Sequence, residues 1–136
     1  MEKINFIDNV TKGSAETFNT MQDNIEKTLN IYSADEIAIG TWFEKPLYRK
    51  VIDFGALPDN NIKILDHNIN NIDFITHYHG ISYRDTDNVF FELPYYASVN
   101  GVSIYINKNR IELTTTNDRS EFKQTYITIE YTKTTD

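Results

Sequence analysis

The apolar period of this chain changes near residue 33, and a chain that changes period there must change secondary structure there. In "SAETFNTMQDNIEKTLNIY", Phe18, Met21, Ile25, Leu29 and Tyr32 recur every three or four residues with polar side chains between them. That spacing draws one apolar stripe on a helix. Ser14 supplies an acceptor for an unpaired N–H at the helix start, and Glu16 lies in the first turn, where the helix dipole favours a carboxylate. At about 1.5 Å per residue, a helix from Ala15 to Tyr32 is roughly 27 Å long. Its stripe requires cover.

From Ala34 onward the period is two, in short runs separated by turn residues. "EIAIGTWF" and "LYRKVIDF", joined at "EKP", predict a hairpin. "NIKIL", "NIDFITHYHGISYR" and "NVFFEL" follow, with Pro94 ending the last because proline has no ladder donor. "GVSIYINKNRIELTTT" predicts a second hairpin turned at "NKN", and "FKQTYITIEYTK" closes the series. Seven or eight strands over about 100 residues imply an antiparallel β-sandwich or jelly-roll-like domain. Nine Tyr and eight Phe agree with it, since aromatic residues fit a half-buried pleated surface. The expected organisation is an arm over residues 1–13, an amphipathic helix over 14–33 and a β domain over 34–136. In the arm, Ile4, Phe6 and Ile7 are expected to dock, because exposed apolar residues at a terminus gain nothing.

Charge and composition exclude several functions. A formal net charge of −7 argues against nucleic acid, whose phosphates are held by clustered Lys and Arg. Without cysteine there is no disulfide framework, thiolate metal site or thiol nucleophile. "MEKINFIDNVTKG" has no apolar run of the signal-peptide kind, and no stretch approaches the roughly 20 apolar residues of a membrane span, so no membrane insertion is expected.

The candidate chemistry is sparse. His77 and His79 share one strand face, but a pair supplies at most two of the three or four protein ligands that zinc takes. Only convergence of several pairs on a symmetry axis would complete a site, and no cofactor is expected. Asp85 and Asp87 echo part of a calcium loop that lacks its Gly and its distal Glu. No nucleophile elbow, phosphate loop or H-E-x-x-H is present, and an enzyme is not expected. In "GTWFEKPLYRKVIDFGALP", period two places Tyr48, Lys50, Ile52 and Phe54 on one face and Leu47, Arg49, Val51 and Asp53 on the other. Arg49 is then within reach of Asp53, and the Lys50 stem can cover Trp42 or Tyr48. Trp42, Tyr48 and Arg49 are expected in the domain core or between protomers. A role as sugar-stacking platforms, together with Tyr95 or Tyr96, is the alternative.

The same residues carry a resemblance. "YSADEIAIGTWFEKPLYRKVIDFGALP" resembles a module at the C-terminal end of small virion fibre and appendage proteins, from phages of Gram-positive hosts. That module has the form Y-S-x-x-E, then G-T-W, then K-P-[LI]-Y-R-K, then G-x-L-P. Matching residues are Tyr32, Ser33, Glu36, Gly40, Thr41, Trp42, Lys45 to Lys50, Gly55, Leu57 and Pro58. "YITIEYTKTTD" resembles the module's ending, and "INFIDNVTKGSAETFNTMQDNIE" the arm and helix of such proteins; residues 60–120 do not match by motif. The chain departs from the family form, which has Asp or Asn with Gly before Lys-Pro, by carrying Phe43 and Glu44.

The resemblance implies a homotrimeric fibre, spike or head decoration protein located in the virion. Its arm would attach to a capsid, neck or tail protein, and its helix would form a trimeric stalk through Phe18, Met21, Ile25, Leu29 and Tyr32. Fewer than three heptads do not sustain an isolated coiled coil, so the β domains would have to support the trimer. The outward domain would adhere to host cell-wall polysaccharide, through the unmatched loops that hold Tyr83, Asp85, Asp87, Tyr95 and Tyr96. Two other classes compete with this expectation: a monomeric carbohydrate-binding module and a polysaccharide hydrolase.

Overall fold

The computed structural model describes residues 31–136, and the chain divides into two units between Ile31 and Tyr32. The expected arm and helix, with Ile4, Phe6, Ile7, Phe18, Met21, Ile25 and Leu29, lie outside the described residues. Eight strands follow: β1 (Ile37–Trp42), β2 (Lys45–Asp53), β3 (Ile62–Asp66), β4 (Ile72–Arg84), β5 (Val89–Leu93), β6 (Val102–Ile106), β7 (Arg110–Thr115) and β8 (Gln124–Lys133). They form one five-stranded sheet in the order β1-β2-β8-β4-β5 and one three-stranded sheet in the order β3-β7-β6. Every pairing is antiparallel, as the alternating pattern implies.

The core lies between the two sheets. β8 is central in the larger sheet, and its register against β2 sets Tyr48, Lys50 and Ile52 opposite Tyr131, Ile129 and Ile127. Ile127, Ile129 and Tyr131 are fully buried. They pack in one cluster with Val102 and Ile104 of β6, Ile111 and Leu113 of β7, and Phe54, Leu57 and Phe122 from the connections. Removing a side chain of this size from water is worth about 1.5–3 kcal/mol.

Turns fall where asparagine permits a left-handed backbone. Asn60, Asn68, Asn71, Asn88 and Asn100 all have positive φ, a region this short polar side chain tolerates. The first hairpin differs from expectation. Its turn is not "EKP" but Phe43–Glu44, with Trp42 paired to Lys45, so Lys45 and Pro46 belong to β2. Pro46 is accommodated because β8 pairs with β2 only from Tyr48 to Asp53, leaving Pro46 one neighbour instead of two.

Candidate functional site

Between Tyr32 and Pro58, Ser33, Glu36, Tyr48 and Arg49 are bonded to other parts of the domain. Ser33 O accepts from Val51 N at 2.8 Å, and Ser33 Oγ accepts from Asp35 N at 3.1 Å. Glu36 latches β8 by accepting from the buried Tyr131 hydroxyl at 2.7 Å and from Lys133 Nζ at 2.9 Å. Tyr48 stacks on Tyr131 at 6.0 Å and donates to Asp136 at 2.7 Å. Burial, and then the bond to Glu36, push the Tyr131 phenol far above its ordinary value. The bond to Asp136, with lesser burial, raises Tyr48.

Arg49 donates through Nε to Glu130 at 3.0 Å, and its guanidinium lies 4.2 Å from the centre of the exposed Tyr32 ring. The expected Arg49–Asp53 link is replaced by this cross-strand pair, because Glu130 is directly opposite Arg49 in the register. Asp53 instead accepts from Gly55 N. Lys133, not Lys50, lies over the Tyr48 ring, at 5.5 Å. At the "GALP" turn, Lys63 reaches Phe54 O and Ala56 O at 2.9 and 2.8 Å. These motif residues hold strands together; a ligand is not needed to explain them.

Trp42 is different. It stays out of the core at 38% exposed, stacks on Phe74 at 6.3 Å and meets Phe43 edge-on at 5.3 Å. Phe43 is 86% exposed and Phe74 56%. Two backbone irregularities produce this display. Phe43 and Glu44 take φ of 46° and 68°, the signature of a type I′ turn that Asn-Gly fills without strain. Two register shifts between Ile72 and His77 turn Ile75 towards Tyr131 and release Phe74 outward. Lys45 and Asp73 close the flank at 2.8 Å, which holds the Asp73 carboxyl below its ordinary value.

The expected receptor loops separate into two places. At the β4–β5 turn, Arg84 holds Asp87 with two bonds of 2.8 Å and Glu121 with one of 2.6 Å. The pairing lowers the Asp87 carboxyl and raises the Arg84 guanidinium. Tyr83 donates to Asn88 and stacks on Phe90. Asp87 thus stabilises a turn, and among the described residues no group of three or more His, Asp or Glu is placed to hold a metal. His77 and His79 do lie on one face, with ring centres 6.0 Å apart. The third histidine is structural: His67, almost fully buried, accepts Ile69 N at Nδ1 and therefore carries its proton on Nε2, towards Asn107 O.

Tyr95 and Tyr96 come together with residues distant in sequence. A cleft of about 230 Å³ lies between the loop from Tyr95 to Gly101 and the outer face of β6 and β7. Tyr95, Tyr96, Ala97, Gly101, Val102, Ser103, Thr114 and Thr116 line it. Tyr83, Asp85 and Asp87 do not. Its walls are fixed by reciprocal bonds between Tyr95 and Val102 at 2.8 Å and by an amide pair in which Asn117 Nδ2 donates to Asn100 Oδ1 at 2.6 Å. Gly101 is required there: a Cβ would come within 2.5 Å of Ala97 O. Behind the cleft Tyr95 stacks on Phe91, Phe91 packs on Phe122, and the Arg119 guanidinium lies 4.8 and 4.5 Å from those two phenylalanine rings. Arg119 is 4% exposed, its Nε and Nη2 meet no acceptor, and burial pulls its guanidinium below the ordinary value.

Ser103, Thr114 and Gly101 escape sequence reasoning because strand register brings them together, and Phe74 because bulges do. Phe43 carried a signal, two bulky residues where a tight turn favours Asn-Gly. Comparison with protein-family models, curated proteins and solved structures finds no match to this chain.

Proposed function

We propose that this protein is a non-enzymatic virion component, a homotrimeric phage fibre, spike or head decoration protein, whose β domain helps to hold the trimer together and adheres to host surface polysaccharide. The observation that carries the reading is the Trp42–Phe43–Phe74 tip. A bulky side chain at positive φ costs on the order of 1–3 kcal/mol and persists where it serves a purpose. Here it holds an aromatic ring in water, on a hairpin where Tyr48 and Arg49 are bonded within the domain. Clustered exposed aromatics of this kind act as anchors in protein interfaces. The resemblance to phage appendage proteins, and the shortage of heptads in the expected stalk, support the same assignment. Sedimentation of the full chain at micromolar concentration tests it. A species of three 15.9 kDa chains is expected, and a monomer contradicts it.

The monomeric carbohydrate-binding reading is favoured by one observation, the cleft beside Tyr96. It shares the adhesion function and differs in assembly, so the same measurement separates the two.

A further inference from the structure

The cleft between the Tyr95–Gly101 loop and β6–β7 has a composition that selects its ligand. No Asp, Glu, Lys or Arg lines it, so a phosphate or a carboxylate would find no counter-charge. Tyr96 is 78% exposed at its mouth, a wide ring that packing inside the domain does not account for. Ser103 and Thr114 are directly opposite each other on β6 and β7, and both face outward into the cleft. Among the described residues neither hydroxyl has a hydrogen-bond partner. At about 230 Å³ the space is smaller than the roughly 300–1,000 Å³ of drug-sized sites, which suits one ring with a small substituent. Tyr105, 56% exposed, stands two residues beyond Ser103 on the same face, about 7 Å along the strand, and offers a second platform.

We propose that this cleft binds a neutral pyranose unit of a glycan chain. The C–H face of the sugar stacks on Tyr96, its hydroxyls bond to Ser103 and Thr114, and the next unit of the chain runs towards Tyr105. Tyrosine suits this task because it presents a wide apolar face with few rotamers to freeze. The walls are already formed by the Asn100–Asn117 pair and the close approach at Gly101, so little ordering cost is left to binding. A single small ring in so open a site binds with millimolar affinity, and several copies held on one particle raise the avidity. The inference rests on the adhesion part of the proposed function and not on its assembly part.

The test is amide chemical-shift mapping of the full chain with methyl α-glucoside, N-acetylglucosamine and N-acetylgalactosamine, each at tens of millimolar, and with glycerol 1-phosphate as the anionic probe. At least one neutral sugar is expected to shift Tyr96, Gly101, Ser103 and Thr114. Tyr96→Ala is expected to weaken that binding about tenfold or more, Tyr96→Phe to retain it, and Thr114→Val to weaken it several-fold. Tyr96 is exposed, so its replacement leaves the fold intact, and an unchanged amide spectrum elsewhere verifies this. Absence of any sugar-induced shift overturns the proposal, as do shifts that map away from the cleft, an unaffected Tyr96→Ala variant, or a response to glycerol 1-phosphate alone. A trimer that ignores every sugar would refute the glycan site and leave the assembly reading standing; a monomer that binds sugar would do the reverse.

Discussion

Side chains at two sites sit where their chemistry is costly. Phe43 and Glu44 occupy the left-handed positions of a two-residue turn, and the double substitution Phe43→Asn/Glu44→Gly supplies the side chains that such a turn favours. Set against the loss of an exposed ring contact with Trp42, it is expected to raise stability by about 1 kcal/mol in urea unfolding at a dilution where parent and variant are both monomeric. A lower stability would mean that the turn is not strained. Arg119 is the second case. Its buried guanidinium is held by two phenylalanine faces, with two nitrogens lacking acceptors, and a desolvated charge of that kind is seldom a net gain. Arg119→Met keeps the volume and removes the charge. Its unfolding midpoint in urea is expected to equal or exceed that of the parent, and a loss of more than about 2 kcal/mol would contradict this account.

At the level of elements, β8 is the strand on which the larger sheet depends: Glu36 accepts from its Tyr131 hydroxyl, and Tyr48 stacks on Tyr131 while donating to Asp136 beyond the strand. The folded Tyr131 phenol is raised above its reference value of 10.0, chiefly by burial, and that of Tyr48 chiefly by its bond to Asp136. Above about pH 10 the unfolded chain therefore releases phenolic protons that the folded chain retains, and stability falls as pH rises. Below that pH the contribution is fully present. Urea midpoints recorded from about pH 8 to about pH 11.5 are expected to drop above pH 10, and the drop to be smaller in Tyr131→Phe, which lacks the buried phenol. An equal drop in both proteins would show that Tyr131 does not govern the alkaline limb. The carboxyls work in the opposite direction: Asp73, Asp87 and Asp118 are all depressed, so their share of stability is present above about pH 4 and is lost below it.

Legibility also differs by element. The strands could be read because alternation and asparagine-bearing turns survive in sequence, as in β6 and β7 around "NKN". β3 shows the limit. In "NIKIL" the alternating Ile62 and Ile64 are the exposed residues, while Lys63 and Leu65 pair with the buried Leu113 and Ile111 on the inner face. Lys63 is tolerated there because two backbone carbonyls receive its ammonium group. No local pattern encodes that exchange. The same holds for the cleft: Tyr95 and Tyr96 could be singled out from the sequence, but Ser103 and Thr114 join them only through register, and Asn100 meets Asn117 only through the fold.

For the molecule as a whole, the described domain divides its surface between two kinds of aromatic display. Beside the β1–β2 turn, Trp42 and Phe43 group with Phe74 of β4 as exposed apolar rings, which suits a protein contact. The other is concave, with Tyr96 beside serine and threonine hydroxyls, which suits a sugar. With about 200 Å² for each aromatic side chain, the exposed parts of the first group amount to roughly 350 Å². That is the scale of an interface centre, well short of the about 800 Å² per partner of a standard complex, so further contacts must surround it. The most direct test is the mass by light scattering of the full chain beside its Phe43→Asn/Glu44→Gly variant. A trimer is expected for the parent, and a better-folded variant that dissociates at concentrations where the parent does not. A variant that is equally trimeric, or a parent that is monomeric throughout, would contradict this expectation.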